Sequence, residues 1–98
     1  MNTKITALHF KADKKLEDFI QERFLKLEKL SDGILGAEAI LKLENSDKPE
    51  NKTAEIKLKI KGNDLHAEKR YSSFEGAFDQ ALEAIRKQLN KNKEKMRE

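Results

Sequence analysis

The sequence predicts an α+β fold, a βαβββα two-layer sandwich in which both helices pack on one face of a four-stranded sheet. Residues 16–30 and 74–89 carry apolar side chains at helical spacing, and four shorter segments alternate apolar and polar residues. Each alternating segment has a single apolar face, so we expect only one side of the sheet to be covered. Short connections between the last three strands favour an antiparallel meander. The first helix then supplies a right-handed crossover between the first two strands.

The first half of the chain contains a predicted strand, helix and second strand. Alternation over residues 3–7 predicts the first strand, and Asp13 is a suitable N-cap for the helix that follows. The apolar positions of this helix are Leu16, Phe19, Ile20, Phe24, Leu27 and Leu30. We expect Gly33 and Gly36 to bracket the helix exit and residues 37–44 to form the second strand.

The second half contains the remaining two strands and the longer helix. Residues 45–52 hold the only proline of the chain and predict a loop. Strict alternation over residues 53–61 predicts the third strand, and Gly62-Asn63-Asp64 is a hairpin signal that leads into a fourth strand through residues 65–67. Ser73 is the expected cap of the last helix. The apolar stripe of that helix comprises Phe74, Phe78, Ala81, Leu82, Ile85 and Leu89.

Positive charge is concentrated at the end of the chain. The whole sequence has 21 basic and 18 acidic residues, a net charge of +3. Residues 86–98 hold six basic and two acidic residues, whereas the remaining 85 hold 15 and 16. Lys87, Lys91 and Lys95 form one row on the last helix, which we call the lysine ladder, and Arg86, Lys93 and Arg97 form a second row closer to the apolar stripe. Such a local field attracts an anionic partner, although basic residues at a solvated helix end also complement the helix dipole.

Two basic residues of the first helix have a second possible role. Arg23 interrupts the apolar arc, and Lys26 lies on its edge. Arg23 either extends from the edge of the core into solvent or reaches the same side as the basic rows and binds phosphate. Both interpretations remain open on the sequence alone.

The composition excludes several classes of function. There is no cysteine, and His9 and His66 lie in separate strands without metal-ligand spacing, so we expect no metal and no cofactor. No Gly-rich phosphate loop or nucleophile motif is present, which predicts neither an enzyme nor a small-molecule substrate. No apolar stretch approaches the roughly 20 residues of a membrane span, and the N-terminus is not a signal peptide. We therefore expect a cytoplasmic protein with no membrane partner.

The basic rows suit the backbone of RNA better than the base sequence of DNA. No recognition-helix motif or zinc finger accompanies them. Only Phe10 and Tyr71 among the aromatic residues fall outside the predicted helix cores, so a base-stacking platform is not expected. The hypothesis is therefore phosphate neutralisation without base readout. Two alternatives are a free-standing double-stranded RNA-binding module and a protein-interaction module whose basic helix meets an acidic partner.

An ordered set of short motifs runs along nearly the whole chain. They are Thr6, His9-Phe10, Leu16-x-x-Phe19-Ile20, Arg23-Phe24-x-Lys26-Leu27-Glu28, Gly62-Asn63-Asp64-Leu65-His66-Ala67, Ala77-Phe78-Asp79 and Lys87-Gln88-Leu89-x-Lys91-x-Lys93-Glu94-Lys95. With these motifs the chain resembles the short ribosome hibernation factors, the family of hibernation-promoting factor and ribosome-associated inhibitor A, also known as the sigma-54 modulation protein family.

The resemblance implies a ribosome hibernation factor. Members of this family bind the small ribosomal subunit in the channel for messenger and transfer RNA, and they inhibit translation in stationary or stressed cells. For this chain it implies a single ribosome-binding domain over residues 1–98, with a basic tail at about 90–98, that is monomeric off the ribosome. The positions that would bind rRNA are Arg23, Lys26, Arg86, Lys87, Lys91, Lys93 and Lys95.

Some residues depart from the family pattern. Ser73-Phe74-Glu75 stands where the family usually has Asp-Met-Tyr, and Ala84 stands at a further basic position. Long family members also carry a C-terminal domain that pairs ribosomes, and we expect this chain to lack it. Whether the protein promotes ribosome dimers or only inactivates single ribosomes stays open.

Overall fold

The predicted order of strands and helices is confirmed. The structure, a computed structural model, describes the backbone of residues 1–96 and the side chains of residues 1–91. Within this range the elements are β1 (Asn2–Leu8), α1 (Lys14–Leu30), β2 (Ile34–Leu43), β3 (Lys52–Ile60), β4 (Asn63–Tyr71) and α2 (Phe74–Met96). The strands follow the order β1-β2-β3-β4; β1 runs parallel to β2, and the other neighbours are antiparallel. This is the predicted α+β architecture.

The hydrophobic core lies between the two helices and one face of the sheet. The strands contribute the buried side chains Ala37, Ala39, Leu41, Ala54, Ile56, Leu58, Leu65 and Ala67. The helices contribute the apolar residues of their predicted stripes apart from Leu30, with Phe19 only partly buried, and Phe24 of α1 and Phe78 of α2 are both 0% exposed. Their rings meet edge to face, with centroids 5.4 Å apart and planes at 72°. This contact fixes α1 beside α2.

The predicted helix starts and turns are present. The Asp13 carboxylate accepts a hydrogen bond of 2.8 Å from the backbone N–H of Leu16 and so caps α1. The Ser73 hydroxyl accepts one of 3.1 Å from the N–H of Gly76 at the start of α2. The β3–β4 hairpin turns at Gly62, whose φ of +82° favours glycine over any residue with a Cβ.

Two predicted details at the end of α1 are wrong. Gly36 does not bracket the helix exit; it lies within β2 opposite Asn2, and β2 begins earlier, at the buried Ile34. Gly33, with φ of +86°, makes the turn alone. Leu30 is 63% exposed because it is the last residue of α1 and sits at the margin of the apolar arc, where the chain turns towards β2.

We expect the core contact between the helices to dominate stability. Replacing Phe78 with Ala should lower the free energy of unfolding by about 3–5 kcal/mol, because a fully buried ring is lost and a cavity remains. Urea denaturation followed by circular dichroism measures this change. The control is Leu25→Ala, whose side chain is 53% exposed and should change stability by no more than about 0.5 kcal/mol. Equal effects of the two substitutions would contradict the core described here.

Candidate nucleic-acid interface

Three of the predicted basic residues meet in a groove between the helices. Arg23 and Lys26 of α1 and Arg86 of α2 line this interhelical groove, which has a volume of about 400 Å³. Its other lining residues are Asp79, Leu82 and Glu83 of α2. The groove therefore carries cations from both helices, but it also contains carboxylates. A ligand that enters it meets positive charge that is partly compensated.

Arg23 is held at the edge of the core and at the groove at the same time. Its guanidinium carbon lies 4.3 Å from the centroid of the Phe19 ring, one helical turn earlier. Its Nε–H donates a hydrogen bond of 3.2 Å to Oδ1 of Asp79 on α2. The side chain is 31% exposed. The Arg23 head thus lies over a partly buried ring and lines the groove together with Arg86, and its binding of phosphate stays a prediction.

Lys26 is more loosely held than Arg23. Its Nζ lies 3.9 Å from Oε1 of Glu22, one turn away on α1, and its side chain is 61% exposed. A solvent-exposed pair at this distance contributes about 0–1 kcal/mol. The ammonium group can therefore exchange this carboxylate for another anion at little cost.

The lysine ladder lies on a different flank of α2 from the groove. Lys87 and Lys91 are exposed, and neither forms an ion pair with any side chain among residues 1–91. The flank beyond them faces β4, because the Gln88 amide donates a hydrogen bond of 2.8 Å to the carbonyl of His66. Lys87 and Lys91 thus form an exposed row of positive charge without an ion-pair partner among the described side chains.

The remaining predicted cations fall near the end of the chain. Lys93 and Lys95 occupy helical backbone positions in α2, but their side chains lie outside the described residues. Arg97 of the second row lies outside them altogether. The assignment of Lys93, Lys95 and Arg97 to the two basic rows stays a prediction from the sequence.

The open face of the sheet has a different charge arrangement. The register aligns Lys4, Glu38 and Lys57 on three adjacent strands, so that opposite charges are neighbours. The His66 ring also contacts the Glu55 carboxylate across β3 and β4. Such cross-strand pairing stabilises a sheet. Positive and negative charges are thus neighbours over part of this face, although Glu55 and Glu68 are like-charged partners on β3 and β4.

Thr53, Arg70 and Glu44 form a hydrogen-bonded network at one end of the open face of the sheet. The Thr53 hydroxyl donates a hydrogen bond of 3.0 Å to Glu44, and the Arg70 guanidinium approaches the same carboxylate to 2.7 Å. The hydrogen bond from Thr53, and then the charge of Arg70, lower the pKa of Glu44. Glu44 thus stays ionised and compensates Arg70, so this arginine adds little to the field.

The aromatic residues outside the helix stripes do not behave as the sequence suggested. Phe10 stacks on Phe74 of α2, with ring centroids 4.2 Å apart and planes at 11°, so it belongs to the helix packing after all. The Tyr71 ring, although 42% exposed, lies against Gly76, where a Cβ would come within 2.3 Å of it. Both rings are therefore engaged in packing at the start of α2.

The described residues offer neither a metal site nor a membrane-spanning helix. Among the described residues, no three His, Asp or Glu side chains come together in a way that could hold a metal ion. Within the same part of the chain, neither helix combines the length and apolarity that crossing a bilayer requires.

Asp79 is the residue that the sequence-based reasoning missed. In the sequence analysis Asp79 was only one member of the motif Ala77-Phe78-Asp79. In the structure it accepts a hydrogen bond from Arg23, which lies 56 residues earlier in the chain. The available signal was weak. Asp79 lies on the flank of α2 that also carries Arg86, and a helical projection groups these two residues without indicating what they face.

Comparison with known proteins agrees with the fold. Residues 3–97 match the sequence profile of a family described as sigma 54 modulation protein / S30EA ribosomal protein. The chain is similar to the ribosome hibernation promoting factor of Escherichia coli K12, with 26% identity over 98 residues that cover 100% of this chain and 99% of the relative. The protein of the same name from Klebsiella oxytoca has the same identity and coverage.

Two solved structures are similar to this one. The N-terminal domain of Protein Y from Thermus thermophilus superimposes with a TM-score of 0.79 and 22% identity, over 93% of this chain and 98% of that chain. A ribosomal subunit interface protein from Coxiella burnetii gives a TM-score of 0.82 with 17% identity, over 95% and 98% of the two chains. At these identities the likeness concerns the fold.

Proposed function

Because the chain belongs to the sigma 54 modulation protein / S30EA ribosomal protein family, we propose that it is a ribosome hibernation factor. It binds the small ribosomal subunit in the cytoplasm and inhibits translation in stationary phase or under stress, without catalysing a reaction. The names of the relatives from Escherichia coli and Klebsiella oxytoca support this role. The single structural observation that carries the proposal is the exposed flank of α2 on which Lys87 and Lys91 form no ion pair with any side chain among residues 1–91.

The basic residues of the helix layer bind rRNA phosphates in two ways. In the interhelical groove, Arg23 and Arg86 present planar guanidinium groups that match a phosphate with two parallel hydrogen bonds. On the outer flank of α2, the ammonium groups of the lysine ladder act as point charges, which attract a phosphate without requiring a particular angle of approach. The full set of proposed rRNA-binding residues is Arg23, Lys26, Arg86, Lys87, Lys91, Lys93 and Lys95.

Translation is inhibited because the protein occupies the space that messenger and transfer RNA need. A folded domain whose cations bind rRNA in the channel for messenger and transfer RNA excludes both ligands without chemical change. The row formed by Lys87 and Lys91 supports this interpretation, because cations spaced along a helix suit an extended polyanion. Electrostatic binding of this kind also reverses readily when competing anions or ligands return.

Binding should depend steeply on salt. If about five phosphates are neutralised, log K plotted against log salt concentration should have a slope of roughly −4. Cosedimentation of the protein with purified small subunits at several salt concentrations measures this slope. A slope near zero would contradict phosphate neutralisation. Equal affinity for isolated RNA duplexes and for small subunits would instead favour a free-standing double-stranded RNA-binding module.

The lysine ladder should account for much of that slope. Replacing Lys87, Lys91 and Lys95 with Gln should flatten it by about three, because each lost phosphate contact lowers it by about one. The melting temperature should hardly change, since exposed charges contribute about 0–1 kcal/mol each.

The matched control removes the same charge from another surface. Lys57→Gln, Lys59→Gln and Lys61→Gln alter exposed residues at one end of the sheet and should leave the slope unchanged. If both triple variants flatten the slope equally, net charge and not the ladder governs binding. If the ladder variant binds as wild type does, the proposed interface is wrong.

Occupation of the channel also predicts mutual exclusion with its normal ligands. Small subunits preloaded with messenger RNA and initiator transfer RNA should bind less of the protein, and the protein should inhibit cell-free translation. The ladder variant is the control and should do neither. Simultaneous binding of protein and messenger RNA would place the rRNA contacts outside the channel.

A further inference from the structure

We propose that Asp79 is a positioning residue for RNA binding, which orients the Arg23 guanidinium towards phosphate in the interhelical groove. The inference rests on the proposed function, because RNA supplies the phosphate. Asp79 itself contacts Arg23 and carries the wrong charge to bind phosphate. Its effect on binding therefore passes through the arginine.

The first contact that holds the Arg23 guanidinium is made within α1, by a ring that packs on the core. The Phe19 ring lies one turn before Arg23, and the guanidinium stacks over it at 4.3 Å. Phe19 in turn meets the buried Phe78 ring edge to face, with centroids 6.2 Å apart. The guanidinium thus lies over a ring that is itself held by the core. This contact alone still leaves the group free to turn over the ring.

Asp79 supplies the missing constraint from the other helix. Its Oδ1 accepts a hydrogen bond of 3.2 Å from the Nε–H of Arg23. This second contact limits how far the guanidinium can turn over the Phe19 ring. An arginine has five N–H donors, and the four on the terminal nitrogens remain after this contact. Within residues 1–91 no other side chain accepts a hydrogen bond from Arg23. The terminal donors are therefore available for two parallel hydrogen bonds to one phosphate.

The opposite role for Asp79 is that of a competitor. A carboxylate close to the groove repels phosphate, and it could hold Arg23 away from the ligand. Two observations favour positioning. The contact uses Nε, so it occupies the side of the guanidinium and leaves its end free. The pair is also too exposed, at 31% and 48% of the two side chains, to contribute much to stability.

The experiment is a double-mutant cycle on binding to purified small ribosomal subunits at one fixed salt concentration. Asp79→Ala, which removes the acceptor, should weaken binding about two- to tenfold, the cost of ordering one long side chain when the ligand arrives. Asp79→Asn keeps an oxygen acceptor and should stay within about twofold of wild type. In an Arg23→Ala background, Asp79→Ala should have no further effect, because the residue it positions is absent.

Two controls separate positioning from loss of charge or structure. Asp64→Ala removes one negative charge at the start of β4, far along the chain from the groove and on the open face of the sheet, and should leave affinity unchanged. Melting temperatures should agree across the set, since Asp79 and Arg23 form an exposed pair. A variant that melted well below wild type would be compared at a temperature where it is folded.

The outcomes are distinguishable. Tighter binding of both Asp79 variants would show that Asp79 competes with phosphate, and unchanged binding of Asp79→Ala would show that it does not position Arg23; either result overturns the inference. The same holds if Asp79→Ala weakens binding equally with and without Arg23. These results leave the proposed function intact, because the lysine ladder is untouched. Absence of binding by the wild-type protein would overturn both.

Discussion

The edge-to-face contact between Phe24 and Phe78 is the interaction on which the proposed interface depends. It joins α1 to α2 in the middle of the core, and it sets the distance across the interhelical groove. Arg23 lies one residue before Phe24, and Asp79 one residue after Phe78, so each polar partner follows directly from a buried ring. The groove is therefore built by the core. Its charged residues need no loop or hinge to bring them together.

Charge is arranged differently in the middle of the sheet and along the outer flank of α2. On the sheet, the register places Glu38 between Lys4 and Lys57 of the neighbouring strands, which stabilises the fold. On α2, Lys87 and Lys91 are four residues apart on one flank, and like charges at this spacing destabilise a helix by about 0.2–0.5 kcal/mol. The interaction of these cations with the helix dipole offsets part of this cost. The repulsion is relieved when a polyanion binds, which agrees with the proposed role of the ladder.

Sequence periodicity was sufficient for the architecture because its signals are local. Alternation and helical spacing gave the elements, and the capping chemistry of Asp13 and Ser73 gave the helix starts. The errors arose where local signals conflict with tertiary structure. Gly36 resembles a helix exit in sequence but pairs within the sheet, and Phe10 finds its partner on α2, 64 residues away. The Arg23–Asp79 contact has the same cause, since nothing near either residue specifies the other.

The lysine ladder and the interhelical groove contribute differently to the proposed interface. Around Arg23 and Lys26, carboxylates offset much of the positive charge, so the groove adds little to long-range attraction. Lys87 and Lys91 of the ladder lack such compensation among the described residues, so they contribute to the steering field. A flexible ammonium, however, does not fix the angle of a phosphate, whereas a guanidinium held by both Phe19 and Asp79 does. We therefore expect the ladder to determine how strongly the protein is attracted to RNA, and the groove to determine the orientation in which it binds.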